Sequence, residues 1–226
     1  MKVDYIGHSG FLVETEKCYY LFDYYKGELP RLDVWKMVIV FCSHGHGDHY
    51  QPGIFKKLRE MGMLRIYAVL SEDIGDCKEV SAGELLSVAA GGRYKLPLGQ
   101  ELITYRSTDL GVAFLISEGD EIIYHAGDLN DWVWEGEKPD YNEQMTKDYR
   151  KQIDTLAKHL GRRRLSCAFV VLDPRQEKDY DRGMLYFLEK VNADLVYPMH
   201  FWGKPQVITQ FLTEHPQYKD RIVATR

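Results

Sequence analysis

Residues 37–42, MVIVFC, form a continuous apolar run of strand length that leads directly into SHGHGDH. A strand that is apolar at every position must be covered on both faces, which excludes a sheet with one wet side at this point. Similar construction recurs downstream. EIIYHAGD (121–128), CAFVVLD (167–173) and ADLVYPMH (193–200) run apolar and finish on charged or imidazole side chains.

Helical signals lie between these runs. Pro52 stands where a first helical turn tolerates it, and Ile54, Phe55, Leu58 and Met61 recur at helical spacing until Gly62. Asp140 followed by Glu143 reads as a capping box, opening a helix with the stripe Met145, Tyr149, Ile153, Leu156 and Leu160, which Gly161 stops. MLYFLEKV is a further helix, and a last one starts near Pro205 and ends before Pro216. The segments KVDYIG, GFLVET and KCYYLFDYY open the chain as strands; LITYRS and GVAFLIS are strands of the second half. Each half thus supplies β segments first and βα units afterwards, a pattern buried by sheets with helices on their outer faces. In such α/β folds reactive groups collect where strands end, and three polar clusters sit at such ends: His44 to His49, His125 to Asp128, and His200.

The chain of 226 residues shows no Ser/Pro-rich linker or low-complexity tract, so one domain over residues 1–226 is expected. A formal charge of −5 argues against a general nucleic-acid binder while leaving room for a small anionic substrate held by a few arginines. The basic run Gly161-Arg162-Arg163-Arg164 sits at a helix end, where cations face the carbonyl end of the dipole. Cys18, Cys42, Cys77 and Cys167 lie far apart with no CxxC pair, as reduced, buried small hydrophobes do. MKVDYIGHSG lacks the apolar core of a signal peptide, and no stretch approaches the ~20 apolar residues of a membrane span. A cytoplasmic location is the expectation.

Divalent ions such as zinc take imidazole nitrogens and carboxylate oxygens converging at ~2.0–2.2 Å. Side chains at alternate positions of an extended segment point the same way, so His44 and His46 can share one ion, with Gly45 and Gly47 leaving the backbone free to turn. Asp48 and His49 fall at the turn into the following helix, are aimed differently, and can serve a second. His159 and His215 stand alone and read as ordinary surface or core histidines.

SHGHGDH resembles the HxHxDH signature of the metallo-β-lactamase fold superfamily, and the resemblance extends over nearly the whole chain. YHAGD (124–128) is similar to the family strand ending in Gly-Asp, YPMH (197–200) to its last strand, and IGHSGFLVE to the opening of the branch that includes ascorbate-6-phosphate lactonase. The resemblance implies a four-layer αββα sandwich with metals at one edge between the sheets. It also implies His44 and His46 on the first metal, Asp48, His49 and His200 on the second, Asp128 between them, and His8 near the pocket. One departure stands out. Family members place another histidine between the HxHxDH segment and the Gly-Asp aspartate, whereas this chain has none from 50 to 124; the equivalent stretch, YRSTDLGVAF, presents Arg106, Ser107, Thr108 or Asp109. Asp109 can coordinate or serve as a plain turn residue. His125 lies three residues before Asp128 on a strand, so alternation turns it to the opposite side.

A bound divalent ion lowers the pKa of its water from 15.7 to about 7, which predicts hydrolysis of an ester-like bond in a small molecule: a lactone, phosphodiester, thioester or amide. Asp48 and His8 are the candidate catalytic residues, and the expected cofactor is one or two divalent ions, zinc first, with manganese or iron as alternatives. The HxHxDH pattern speaks against the oxygen-reducing di-iron branch. The rival readings are a metal-poor, catalytically weak ligand binder and a nuclease, the latter opposed by the acidic balance. Trp132, Trp134, Phe201 and Trp202 follow the ligand positions and form either a pocket wall or a plug at the sheet edge. Arg175, next to Asp173, either binds an anion or makes a structural salt bridge. A homo-oligomer is an option that the many tyrosines and tryptophans leave open.

Overall fold

The apolar runs become strands and the helical stripes become helices in a computed structural model that describes residues 1–75 and 77–225. The chain divides into two compact units, Met1–Ala89 and Ala90–Arg226.

The first unit is built on one six-stranded sheet: β1 (Lys2–Gly7), β2 (Gly10–Glu14), β3 (Cys18–Phe22), β4 (Met37–Cys42), β5 (Ile66–Ser71) and β6 (Leu85–Val88), in that spatial order. The tight links between β1, β2 and β3 give antiparallel pairs; β3 to β6 are parallel. Parallel neighbours need a long return path, which α1 (Gly53–Glu60) provides between β4 and β5. α1 starts behind Pro52 as its sequence indicates. Its buried face, Ile54, Phe55 and Leu58, joins one cluster with Leu21, Val38, Val40, Ala68 and Leu70. Those sheet residues fall at alternate positions of β3, β4 and β5, as one face of a pleated sheet requires.

The second unit carries β7 (Arg93–Lys95), β8 (Glu101–Arg106), β9 (Val112–Glu118), β10 (Glu121–His125), β11 (Leu165–Val171) and β12 (Ala193–Met199) in the order β12-β11-β10-β9-β8-β7. β7 to β10 form an antiparallel meander and β10 to β12 are parallel, so this sheet repeats the plan of the first. The helices are α2 (Pro139–Leu160), α3 (Arg182–Lys190) and α4 (Gln206–Glu214). α2 buries Tyr149, Ile153, Leu156 and Leu160, and the Tyr149 hydroxyl donates to the Gly183 carbonyl of α3 at 2.7 Å. Phe187 of α3 stacks on Tyr124 of β10, with ring centroids 5.5 Å apart.

The start of α2 corrects the sequence reading. Lys138 is the N-cap, with no side-chain cap bond, and Pro139 opens the helix. Proline's fixed φ and missing N–H suit the first position, so no Asp–Glu box is needed. Asp140 lies instead within the first turn, where its charge complements the dipole, and Glu143 pairs with Lys147. At the other end Arg163 caps as expected, donating to the carbonyls of His159 at 3.1 Å and Leu160 at 3.4 Å.

All four cysteines are free and buried, and burial pushes the thiols of Cys42 and Cys167 well above their ordinary range. No helix among the described residues is long and apolar enough to cross a membrane. Phe55 is fully buried, so Phe55→Ala is expected to destabilise the chain by about 3–5 kcal/mol, read from urea unfolding. A loss below about 1 kcal/mol would mean that α1 buries another face.

Candidate metal centre

Parallel pairing brings strand ends of the first unit together. Phe22 of β3 pairs with Phe41 of β4, and the N–H of Asp23 donates to the Phe41 carbonyl at 2.9 Å. Asp23 therefore emerges beside Ser43, the first residue past β4. Its carboxylate accepts from the Ser43 N–H at 2.8 Å, from the Ser43 hydroxyl at 2.7 Å and binds His49 Nδ1 at 2.8 Å. Ser43 Oγ in turn lies 2.9 Å from His44 Nδ1. Asp23, Ser43, His44 and His49 are all fully buried. A buried carboxylate is costly unless hydrogen-bonded, and this one is satisfied by groups that also fix two imidazole orientations.

His46 is exposed, and its Nδ1 lies 3.0 Å from His44 Nε2. The two rings share a hydrogen bond; two ligand atoms sharing one ion at ~2.0–2.1 Å sit about 3.3 Å apart, so a cation can take the proton's place with little movement. His8, buried, places Nε2 3.3 Å from Asp48 Oδ2. The His8 hydrogen bond, seconded by the charge of His49, holds the Asp48 carboxyl well below the usual carboxylate range against the opposing effect of burial. Ligand atoms of His8, Asp48 and His49 lie within 4.8 Å of one another. Glycine's freedom is used less than the sequence suggests, because neither Gly45 nor Gly47 has a positive φ. The segment is shaped by hydrogen bonds from the N–H groups of His49 and Tyr50 to the His46 carbonyl and from the Gly45 N–H to Asp73.

The second unit uses the same device. β10, β11 and β12 end side by side, carrying Asp128, Asp173 and His200. Asp173, fully buried, lies 2.9 Å from His200 Nδ1, and His200 Nε2 lies 3.4 Å from Asp128 Oδ1. Burial pushes the Asp173 carboxyl up, but hydrogen bonds from His200 and Arg175 outweigh it and hold the group at about 2. Arg175 is thus the structural salt bridge of the two readings, with its Nε 2.9 and 3.0 Å from the Asp173 oxygens and its guanidinium over the rings of Trp202 and Trp134. His125 is fully buried, packs on Phe169, and its Nδ1 accepts from the Gly127 N–H at 3.1 Å, a bond that turns the chain toward Asp128. Trp132 is buried, donates to the Asp128 carbonyl at 2.9 Å and stacks on Trp134; Trp202 is 43% exposed.

His8, Asp23 and His200 all adopt left-handed backbone, with φ of 56°, 40° and 64°. Each such non-glycine residue costs on the order of 1–3 kcal/mol, and such strain concentrates where side chains must be aimed. Of the expected site residues, the first unit brings together His8, His44, His46, Asp48 and His49, and the second brings together Asp128 and His200. Asp23, Ser43 and Asp173 in its orienting role were missed by sequence reasoning. The signal was present: CYYLFD and CAFVVLD are both apolar strands that end in aspartate.

No family model matches the chain. It is 28% identical over 146 residues to a UPF0173 metal-dependent hydrolase of Opitutus terrae, a match covering 57% of this chain and 63% of that protein. The chain thus spans less than two thirds of the curated relatives it matches. Igni18, a metallo hydrolase from Ignicoccus hospitalis, superposes over 99% of this chain and 94% of its own with a TM-score of 0.65 at 15% identity. The metallo-β-lactamase fold protein YhfI from Bacillus subtilis does so over 96% and 89%, with a TM-score of 0.58 at 11% identity. CmlA, a diiron β-hydroxylase from Streptomyces venezuelae, matches 97% of this chain and 51% of its own, with a TM-score of 0.60 at 14% identity. These likenesses establish the fold, which is of the metallo-β-lactamase type that the sequence resemblance implied. One fold carries a hydrolase and a hydroxylase among these neighbours, so the metal and reaction must be argued from side chains.

The donors are imidazoles and carboxylates, and in each unit a buried carboxylate grips the Nδ1 of one donor imidazole, an arrangement suited to a divalent cation. Asp23→Asn and Asp173→Asn are each expected to weaken metal binding about 10–100-fold, measured by titration against a competing chelator. Unchanged affinity in both would show that these aspartates serve packing alone.

Proposed function

We propose that the chain is a metal-dependent hydrolase of a small substrate, with water as nucleophile and an ester-like bond as target. His44, His46, Asp48 and His49 of the first unit and Asp128 and His200 of the second supply the metal ligands. The observation that carries this reading is the buried aspartate on the Nδ1 of His49 at 2.8 Å and of His200 at 2.9 Å, which fixes the ring so that Nε2 is the coordinating atom. The curated relative of Opitutus terrae supports it by its description as a metal-dependent hydrolase.

A divalent ion, when bound, supplies a water of lowered pKa and a Lewis acid for the bond under attack. Zinc is the first choice for this donor set, with manganese or iron as alternatives. Asp48 orients the nucleophile or takes its proton, and His8 acts through Asp48 by holding the carboxylate in place. Trp134 and Trp202 flank Arg175 beside His200 and shape the wall against which a small substrate packs. Four buried thiols and the formal charge of −5 support a cytoplasmic enzyme acting on small molecules rather than nucleic acid.

The test loads the protein with zinc or manganese and profiles generic lactone, phosphodiester and thioester substrates against Asp128→Ala. Turnover by the native chain and background rates in the variant are expected; equal rates in both would remove the hydrolase assignment. His200→Ala is expected to lower the metal content counted by mass spectrometry. A native chain that retains no ion and loses no stability would favour the ligand-binding reading, which the missing histidine between residues 50 and 124 suggests.

A further inference from the structure

We propose that Asp109 is a metal ligand, filling the coordination place for which the resembled family uses another histidine, and that its carboxylate widens the choice of ion toward manganese or iron. The proposal rests on the metal-centre reading above and assigns to that centre a residue outside its expected ligand set.

Asp109 lies on the turn between β8 and β9, at the end of a stretch that contains no histidine from residue 50 onward. One of its carboxylate oxygens lies within 4.8 Å of a carboxylate oxygen of Asp128. Asp128 Oδ1 is in turn 3.4 Å from His200 Nε2, so two carboxylates and an imidazole of the second unit stand close together. Like charges this near repel, and a cation held between them relieves that repulsion.

Specific bonds hold the two carboxylate-bearing loops together. The Thr108 hydroxyl donates to the Asn130 carbonyl at 2.6 Å and accepts from the Asn130 N–H at 3.0 Å. Asn130 is anchored through its side-chain amide to Gln176 at 2.7 Å. The turn itself is closed by the Ser107 N–H on the Gly111 carbonyl at 3.2 Å and by the Asp109 N–H on Ser107 Oγ at 3.1 Å. A plain surface turn needs the last two bonds; it has no need of the reciprocal Thr108–Asn130 pair that fixes it against the Asp128 loop. Asp109 is exposed and lines a cavity of about 390 Å³, so an ion can reach it from solvent. Replacing imidazole by carboxylate makes the donor set richer in oxygen, which suits manganese better than an all-imidazole set does.

The experiment compares the full native chain with Asp109→Ala, Asp109→Asn and Asp109→His after loading with zinc or manganese and dialysis. Metal is counted by mass spectrometry, and affinities are read by chelator competition. The native chain is expected to hold about two equivalents, the Ala and Asn variants about one. Asp109→His is expected to keep two and raise the ratio of zinc to manganese affinity about tenfold or more. The near-isosteric Asn variant decides the matter where Ala disturbs folding, which circular dichroism monitors. Native stoichiometry and affinity for both ions in the Asn variant would overturn the assignment of Asp109 alone. A native chain that takes up neither ion would overturn the metal-centre reading with it.

Discussion

A carboxylate taken wholly out of water must find partners for both of its oxygens, and this chain does so twice, at Asp23 and Asp173. Both residues lie immediately beyond or close to the end of an apolar strand, and in both cases a parallel neighbour carries the histidine that satisfies them. The parallel ladder makes this possible, because it brings the carboxyl ends of adjacent strands to the same edge of the sheet. His49 and His200 are therefore positioned by fully buried carboxylates. Removing either aspartate would leave a ring able to turn and a buried polar group to be satisfied anew.

The irregular segments of the second unit serve the same end. The loop after β10 is pinned at Asp131 by Thr146 and Arg182, at Trp134 by Asn142, and at Asn130 by Thr108 and Gln176. Gly183 is necessary to this arrangement, since a Cβ there would come within 2.0 Å of the Asn130 side-chain oxygen. Helix α3 thus packs its backbone at Gly183 against the Asn130 side chain. The strained backbone at His200 costs folding energy locally, and the surrounding bonds, through Asp173, Arg175 and Trp202, keep it in place.

Most strands were legible because their apolar runs are continuous and end abruptly: MVIVFC became β4 with no shift of boundary. The ligand-type histidines were legible because they crowd into a few positions. What escaped were pairings between residues distant in sequence. Asp23 and His49 are 26 positions apart, and Asp173 and His200 are 27 apart, and only the order of strands in each sheet reveals that they meet. The capping box at Asp140 failed for a local reason, because proline one residue earlier had already set the helix. Gly45 and Gly47 misled in the opposite direction, as the left-handed geometry went to His8, Asp23 and His200 instead. The edge strand β7 is only three residues long and half exposed, too short for periodicity to register.

The thiols, the softest donors this polypeptide owns, lie away from the strand-end donors: Cys18, Cys42 and Cys167 are sealed in the apolar interior, Cys77 donates to Glu79, and burial keeps Cys42 and Cys167 protonated. At the strand ends, ions from solvent meet imidazole nitrogen and carboxylate oxygen. Such a donor set favours hard and borderline cations over the soft ions cadmium, mercury and cuprous copper.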